Sequence, residues 1–310
     1  MRKFKGIVLG IMIGIMAISF IGCKVKDQAG NQSITGEIKL DGSSTVAPIS
    51  QAVTEAFNKE YPGVKVSIGV SGTGGGFKKF IVGETDINNA SRAIKPKEDE
   101  TAKSNGIISE KIEIAYDGIA VVVSKENTWV SDITTAELKK IWEPNSKVKN
   151  WSDVRAQWPS EPIKLYGPGT DSGTFEYFTE AINGKAKAIR TDFTASEDDN
   201  ILVQGVANDK YALGYFGAAY YEENQDKLNA LKINGVSLTA ETIGNKTYAP
   251  LSRPLFMYVS KKALERPEVD EYLKYYMENV KEFVGAVGYF PLEDSKYIEG
   301  TKKLDELIKK

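Results

Sequence analysis

A repeated order of short segments constrains this chain more than any other feature of its sequence. Runs rich in β-forming residues lead into loops of small residues and then into amphipathic stretches, at least three times; the loops are residues 42–45, 71–76 and 169–174. Strand, short loop and helix in alternation indicate an α/β fold with a mostly parallel sheet. Ligands of such sheets bind at the carboxyl ends of the strands, over the helix N-termini.

Hydrophobic periodicity predicts the bounds of the elements. The first helix is predicted over residues 47–59, where Val53, Ala56 and Phe57 share one face. Strands are predicted over residues 37–40, 64–70, 119–123, 163–166 and 255–259, and further helices over residues 77–82, 175–182 and 269–280.

Each of the three loops has the composition of an oxyanion-binding loop. A helix start exposes unpaired N–H groups and a partial positive charge. Glycine lets the backbone approach an anion, and serine and threonine hydroxyls add donors. Taken singly, each loop also suits an ordinary helix cap or turn, but three at equivalent junctions favour one convergent site. The second loop lacks the Gly-Lys-Ser/Thr ending of a P-loop, so nucleotide hydrolysis is unsupported.

Two charged residues near these loops are further candidates. Arg92 follows a short predicted strand, and the planar fork of arginine suits a tetrahedral oxyanion, although a surface arginine would give the same pattern. Asp171 lies inside the third loop, where a carboxylate repels an anion unless that anion carries a proton. Phosphate keeps a proton at neutral pH and sulfate does not, so Asp171 is a candidate for discrimination between them. A helix cap is the alternative role of Asp171.

Composition argues against several classes of protein. The chain has no histidine and one cysteine, Cys23. Histidine is the commonest general base and metal ligand, so a Ser-His-Asp hydrolase, a Cys-His protease and a zinc site are disfavoured. The formal net charge of −2 offers no basic excess for nucleic acid. No metal and no cofactor is predicted.

The N-terminus has the pattern of an export signal. A basic start is followed by an uncharged run over residues 7–22, which is short for a membrane span and typical of a signal-peptide core. The run ends in a small residue and Cys23, which resembles the bacterial lipoprotein processing site. Residues 1–22 are predicted as a signal peptide and residues 23–35 as a lipidated tether, with a diacylglycerol on the Cys23 thiol. A one-pass membrane anchor is the alternative.

Five longer motifs resemble the phosphate-binding subunit of bacterial phosphate-specific ABC transporters. They are DGSSTVAP at 41–48, SGTGGGF at 71–77, ASR at 90–92, GPGTDSGTF at 167–175 and PLSRPL at 250–255. The resemblance runs in order from about residue 36 to residue 300. The fourth motif, with SEDDN at 196–200 and GYFG at 214–217 after it, is the most specific part.

The resemblance implies a two-domain fold of the periplasmic-binding-protein-like type II, with a ligand cleft between the domains. The first domain would hold residues 36–116 and 251–310, and the second residues 117–250. Carried over by motif, the donors to phosphate are Ser44, Thr45, Ser71, Thr73, Ser172, Gly173 and Thr174.

The charged residues depart from the best-known branch of that family. There an aspartate follows the Ala-Ser pair and an arginine precedes the third-loop serine, whereas here Arg92 and Asp171 stand on exchanged sides. We expect them to do the same two jobs, which are charge balance and proton acceptance. Arg253 either braces the return crossover, which we favour, or reaches the ligand.

The function that the resemblance implies is capture of inorganic phosphate outside the cell and its delivery to ABC permease subunits. The protein would be a monomeric, non-enzymatic lipoprotein held at the cell membrane by the lipid on Cys23. Binding of another tetrahedral oxyanion, sulfate or molybdate, is the nearest alternative. A phosphate-ester enzyme with Ser172 or Asp171 as nucleophile, and an adhesin without a small ligand, are the others.

Overall fold

The computed structural model of this chain describes residues 34–170 and 172–309. These residues belong to one compact unit, Ile34–Lys310. The predicted signal peptide, Cys23 with most of the predicted tether, and Asp171 lie outside the described residues, so the predictions made for them stay predictions.

Strands and helices alternate along the described chain, which confirms the predicted α/β class. The strands are β1 Gly36–Gly42, β2 Val64–Ile68, β3 Ile87–Ala90, β4 Ser109–Ser124, β5 Asp132–Ile133, β6 Lys164–Pro168, β7 Thr194–Ser196, β8 Ala212–Gly217, β9 Leu228–Ala230, β10 Lys232–Ile233 and β11 Ser252–Ser260. The α-helices are α1 Ala47–Glu60, α2 Gly72–Phe80, α3 Pro96–Ser104, α4 Thr135–Trp142, α5 Gly173–Asn183, α6 Asp199–Ala207, α7 Ala218–Glu222, α8 Ala240–Gly244, α9 Lys261–Leu264, α10 Pro267–Ala286 and α11 Asp294–Lys309. A 3-10 helix covers Trp151–Asp153. Among residues 34–170 and 172–309, no helix has both the length and the apolar character needed to cross a bilayer.

The main sheet is mixed rather than mostly parallel, so that prediction was wrong. Its strand order is β2-β1-β3-β11-β4-β8-β6-β7, with β9 also paired to β4. Strand β1 is parallel to β2 and β3, and β6 is parallel to β7 and β8. Strands β4 and β11 are antiparallel to their neighbours. The strand–loop–helix pattern predicts the direction only of strands that are joined by a nearby helix. Strand β11 is distant in sequence from its partners β3 and β4, so the pattern does not predict its antiparallel pairing.

Strand β4 is 16 residues long and changes partner along its length. As far as Gly118 it pairs with β11, and from Ile119 onward it pairs with β8 and β9. We call the part of the sheet on the β11 side the first half and the part on the β8 side the second half. The change of partner lies close to the predicted domain boundary at residues 116 and 117, and the division into two domains itself stays a prediction.

The glycine-rich segment forms a helix where a loop was predicted. Helix α2 begins at Gly72, whereas the sequence predicts a helix only from residue 77. Glycine costs a helix interior about 1 kcal/mol per residue, so intrinsic propensity favours a loop. Close packing overrides this preference, because a Cβ atom at Gly76 would lie 2.0 Å from Asn88 Oδ1 and 2.5 Å from the Gly42 Cα.

Apolar helix faces cover both halves of the sheet. In the first half, Val53 and Phe57 of α1 are fully buried, and the Phe57 ring meets the Tyr272 ring of α10 edge-on at 5.1 Å. In the second half, the Phe178 ring of α5 stacks on the Tyr215 ring of β8 at 3.7 Å. Full burial of each large apolar side chain contributes about 1.5–3 kcal/mol. This packing fixes the strand ends that carry the three loops.

Candidate functional site

A cavity of about 650 Å³ lies where the three loops meet. The residues of the predicted site that line it are Ser44, Thr45, Ser71, Thr73, Arg92 and Gly173. Ser172 and Thr174 flank Gly173 without forming part of the wall. Residues from three distant stretches of sequence are therefore brought to one place, as the loop compositions predict.

The first loop is a tightly bonded turn that leads into α1. Ser43 N donates to the Asn89 carbonyl at 2.9 Å, and Thr45 N donates to Ser43 Oγ at 3.2 Å. The Ser43 carbonyl accepts from Ala47 N at 3.0 Å. Thr45 is 3% exposed. The turn holds the Thr45 hydroxyl in a fixed position in the cavity wall.

Asp41 ties the start of α2 to the first loop. Its Oδ1 atom accepts from Ser71 N at 3.0 Å, from Ser71 Oγ at 2.6 Å and from Gly42 N at 2.6 Å. Its Oδ2 atom is paired with the Lys79 ammonium. Burial alone would raise the pKa of Asp41, but the hydrogen bonds from Lys79, Ser71 and Gly42 hold it below its ordinary value. Asp41 is therefore an ionised anchor behind the cavity wall, a role that the sequence did not suggest.

Thr73 joins α2 to the segment that carries Arg92. The Thr73 Oγ1 atom accepts from Ser91 N at 3.1 Å, and it shares a second hydrogen bond with Ser91 Oγ at 3.0 Å. Ser91 lines the cavity as well, although it was not among the predicted ligands.

Arg92 lies in the cavity wall beside the first turn of α2. A Cβ atom at Gly74 would lie 3.6 Å from Arg92 Nη2, and the guanidinium carbon is 5.3 Å from the centre of the Phe77 ring. Both oxygens of Glu98 accept from the guanidinium, each at 2.9 Å. Burial would raise the pKa of Glu98, but hydrogen bonds from Arg92 and from the Lys95 backbone lower it overall. Arg92 is held in place by an ionised carboxylate that also offsets part of its charge.

The third loop begins α5 and touches the first loop. Ser172 caps the helix, because its Oγ atom accepts from Thr174 N at 3.2 Å and from Phe175 N at 3.4 Å. Gly173 lies against Thr45: a Cβ atom at this position would be 2.6 Å from Thr45 Oγ1 and 3.0 Å from Thr45 N. A backbone without a side chain is what allows the two loops to meet.

Arg253 both braces the crossover and reaches the cavity. Its Nε atom donates to Asp117 Oδ2 at 3.2 Å, in the β4–β11 pair where these two residues face each other. Its Nη2 atom donates to Thr45 Oγ1 at 2.9 Å, and its guanidinium carbon lies 3.6 Å from the centre of the Tyr177 ring. Asp117 is 1% exposed; burial raises its pKa and Arg253 opposes that rise. The bracing contact that we favoured is present, and Arg253 also lines the cavity, so contact with the ligand stays a prediction. No local spacing relates positions 117 and 253.

The charge of the wall is mixed rather than uniformly positive. Arg92 and Arg253 line the cavity together with Glu176 and Glu180 of α5. Within residues 34–170 and 172–309, no group of three or more His, Cys, Asp or Glu side chains could hold a metal ion. Hydroxyl groups, helix N-termini and two guanidinium groups are suited to holding a small oxyanion by hydrogen bonds.

The fold and the cavity together are those of an α/β binding protein, with the starts of three helices at the cavity. A profile described as a PBP superfamily domain matches residues 27–280. Protein SphX of Synechococcus elongatus is 43% identical over 300 residues, which are 94% of this chain and 88% of the relative. The phosphate-binding protein PstS of Staphylococcus saprophyticus is 40% identical over 281 residues, 89% of this chain and 86% of the relative.

A crystal structure of another protein also resembles this chain in its fold. It is described as a possible phosphate binding protein from Planctomyces limnophilus, and it matches with a TM-score of 0.86 and 50% identity over 89% of this chain and 99% of that one. This chain therefore belongs to the PBP superfamily and, within it, to the family of these relatives.

Proposed function

We propose that this chain binds inorganic phosphate in the cavity, outside the cell, and delivers it unchanged to an ABC permease. One observation carries the proposal: the segments that begin α1, α2 and α5 border a single cavity together with two arginines. The start of a helix carries a partial positive charge, and its first N–H groups have no partner in the helical ladder itself. An anion taken out of water needs such donors on most of its oxygens. The relatives named as phosphate-binding proteins support phosphate as that anion.

The proposed ligand contacts follow the three loops. Arg92 and Arg253 balance the charge of the anion, and Asp171 accepts a hydrogen bond from its proton. Ser71 and Thr73 both border the cavity, so both are assigned to the site. The proposed set is Ser44, Thr45, Ser71, Thr73, Arg92, Asp171, Ser172, Gly173, Thr174 and Arg253.

The two halves of the sheet are proposed to act as two lobes that close on the ion. Strand β4 passes from one half to the other, and β11 returns beside it. The contact of Gly173 with Thr45 joins a residue of the second half to a residue of the first. An ion held between such lobes favours the closed form, which is what a permease would recognise.

The proposed setting is the outer face of the cell membrane. The N-terminal pattern supports cleavage after residue 22 and a lipid on Cys23, with residues 23–35 as the tether. The monomeric state is proposed from the family resemblance alone.

A catalytic role is disfavoured by the chemistry of the candidate nucleophile. Ser172 Oγ accepts from two backbone N–H groups of α5, which is the bonding of a helix cap rather than of an activated hydroxyl. The sequence has no histidine to serve as its base.

Titration calorimetry with phosphate, sulfate and molybdate tests the proposal on protein freed of bound anions. Phosphate should bind about 100-fold more tightly than sulfate, a difference of about 2.7 kcal/mol. Equal or tighter binding of sulfate or molybdate would assign another oxyanion. The absence of binding heat for all three anions would favour an adhesin, and release of phosphate from an ester by the pure protein would revive an enzyme.

A pair of variants places the binding event in this cavity. Arg253→Gln should weaken phosphate binding about ten-fold or more, because a charged partner is lost. Arg266→Gln is the matched control, since Arg266 lies outside the cavity wall. Equal affinities of these two variants would place the phosphate elsewhere.

A further inference from the structure

The hydroxyl groups around the cavity differ in whether their hydrogen atom is already used. Thr45 Oγ1 accepts a hydrogen bond from Arg253, whose guanidinium can only donate. Ser172 Oγ accepts from the backbone of Thr174 and of Phe175. Neither hydroxyl donates to another residue within the described chain. Within residues 34–170 and 172–309, the hydrogens of Thr45 and Ser172 are thus uncommitted, and both hydroxyls can donate to an anion.

Ser71 has the opposite arrangement. Its Oγ atom lies 2.6 Å from Asp41 Oδ1, and an ionised carboxylate can only accept. The Asp41 carboxylate is kept ionised by the Lys79 ammonium and by the backbone hydrogen bonds that converge on it. The single hydrogen of the Ser71 hydroxyl is therefore committed to Asp41. What the Ser71 oxygen can offer a ligand is a lone pair.

The Ser71 oxygen lies where a ligand can reach it. Ser71 borders the cavity and is an exposed residue at the N-terminus of α2. The next turn of the helix leaves the oxygen uncovered, because a Cβ atom at Gly75 would lie 2.7 Å from Ser71 Oγ. Unlike Ser172, Ser71 makes no capping bond to its own helix that would occupy its lone pairs.

We propose that Ser71 is a hydrogen-bond acceptor of this site, fixed in that role by Asp41, and that it selects an oxyanion that carries a proton. The inference rests on the proposed function and deepens it. The O–H group of the anion donates to Ser71 Oγ, and the Ser71 hydroxyl donates to Asp41. No proton is transferred. A fully deprotonated anion such as sulfate has no hydrogen to donate, so its oxygen lone pairs would face the lone pair of Ser71 and be repelled. Ser71 would act with Asp171 or in its place, on the side of the cavity formed by α2.

The test removes one hydroxyl that is proposed to accept a hydrogen bond from the ligand and one that is proposed to donate. Calorimetry measures phosphate binding, and competition with phosphate measures sulfate binding. Ser71→Ala should weaken phosphate binding about ten-fold or more and leave sulfate binding within about two-fold, so that the phosphate-to-sulfate ratio falls. Thr45→Val removes a donor and should weaken both anions by similar factors, so that the ratio is kept. Ser104→Ala removes an exposed hydroxyl remote from the cavity and should change neither affinity.

The outcomes separate this inference from the proposed function. Wild-type protein without a preference for phosphate would sink the proposed function and this inference with it. Wild-type preference together with an equal loss of both anions in Ser71→Ala would make Ser71 a donor and overturn this inference alone. Unchanged affinities in Ser71→Ala would remove Ser71 from the ligand. Thermal unfolding of each variant shows that it is folded, and Ser71→Gly provides a second deletion of the hydroxyl.

Discussion

Gly173 shows at the residue scale how a missing side chain shapes the site. Its backbone approaches Thr45 so closely that a Cβ atom would lie 2.6 Å from the threonine hydroxyl oxygen. Real Cβ atoms do not tolerate that distance, so one loop would have to move. The glycine is therefore explained by the contact between the loops rather than by an unusual backbone conformation.

Gly173→Ala should separate binding from stability. The preference of a helix for alanine, at most about 0.5–1 kcal/mol, opposes the cost of the clash with Thr45, so the free energy of unfolding should change less than the free energy of phosphate binding. Phosphate affinity should fall about ten-fold or more, because the third loop is pushed away from Thr45. Calorimetry and urea unfolding measure the two effects. Gly285→Ala in α10 is the control, since no atom lies within 4 Å of its Cβ position. An unchanged phosphate Kd in Gly173→Ala would contradict the close contact.

Helix α4 shows at the element scale how a local signal and a distant partner combine. Thr134 and Glu137 form a capping box, in which Glu137 N donates to Thr134 Oγ1 at 3.2 Å and Thr134 N donates to Glu137 Oε2 at 2.8 Å. Arg155 then donates to Glu137 Oε1 from Nε at 2.7 Å and to Oε2 from Nη2 at 2.9 Å. The hydrogen bonds from Arg155 and then those from Thr134 lower the pKa of Glu137 to about 2.

This carboxylate should make stability depend on pH in acid. A pKa that is depressed in the folded state contributes stability above the unfolded value, near 4.5, and loses it as the pH falls toward 2. In urea unfolding at pH 6, the free energy of unfolding of wild type should exceed that of Glu137→Gln by about 1–2 kcal/mol, after allowance for solvent screening. At pH 2.5 the two free energies of unfolding should differ by much less. Glu126→Gln, at an exposed position, is the control. A difference that does not change with pH would contradict the pairing with Arg155.

The whole molecule places its cavity where the chain passes between the two halves of the sheet. Strands β4 and β11 are paired along this passage, with Asp117 facing Arg253 across them. The same arginine reaches Thr45 in the first half and Tyr177 in the second. The proposed contact with the anion and the observed contacts that join the halves are therefore made by one side chain, as expected if binding and closure are coupled.

Membrane attachment is the second proposal that concerns the whole chain, and it rests on the sulfur atom of Cys23. Cys23→Ser removes the only thiol in the sequence and should release the protein from the membrane fraction or leave an unprocessed precursor. Fractionation of cells with immunodetection measures both results. Ser33→Ala, outside the predicted processing site, should stay with the membrane. A processed Cys23→Ser protein that remains in the membrane fraction would exclude the lipid on Cys23.

Local features of the sequence predicted the parts of this protein that depend on near neighbours. Helix α1 with the loop before it, and the helix that follows the third loop, were predicted from hydrophobic spacing and from the composition of helix starts. Propensity failed in α2, where the glycine-rich segment forms a helix and Gly76 packs closely against Gly42 and Asn88. The alternation of strands and helices was enough for the fold class, but it did not show the antiparallel return of β11.

By itself, then, the sequence determined an α/β chain with three loops of oxyanion-binding composition, because strand-to-helix junctions and their small residues are encoded within a few positions of each other. Only the tertiary structure decided which groups stand behind those loops. Asp41 holds Ser71 across 30 positions, and Arg253 reaches Thr45 across 208. Such partners are chosen by the packing of distant strands, and no spacing along the chain records them. These partners decide which hydroxyls still have a hydrogen to donate to a ligand and which have only a lone pair to offer it.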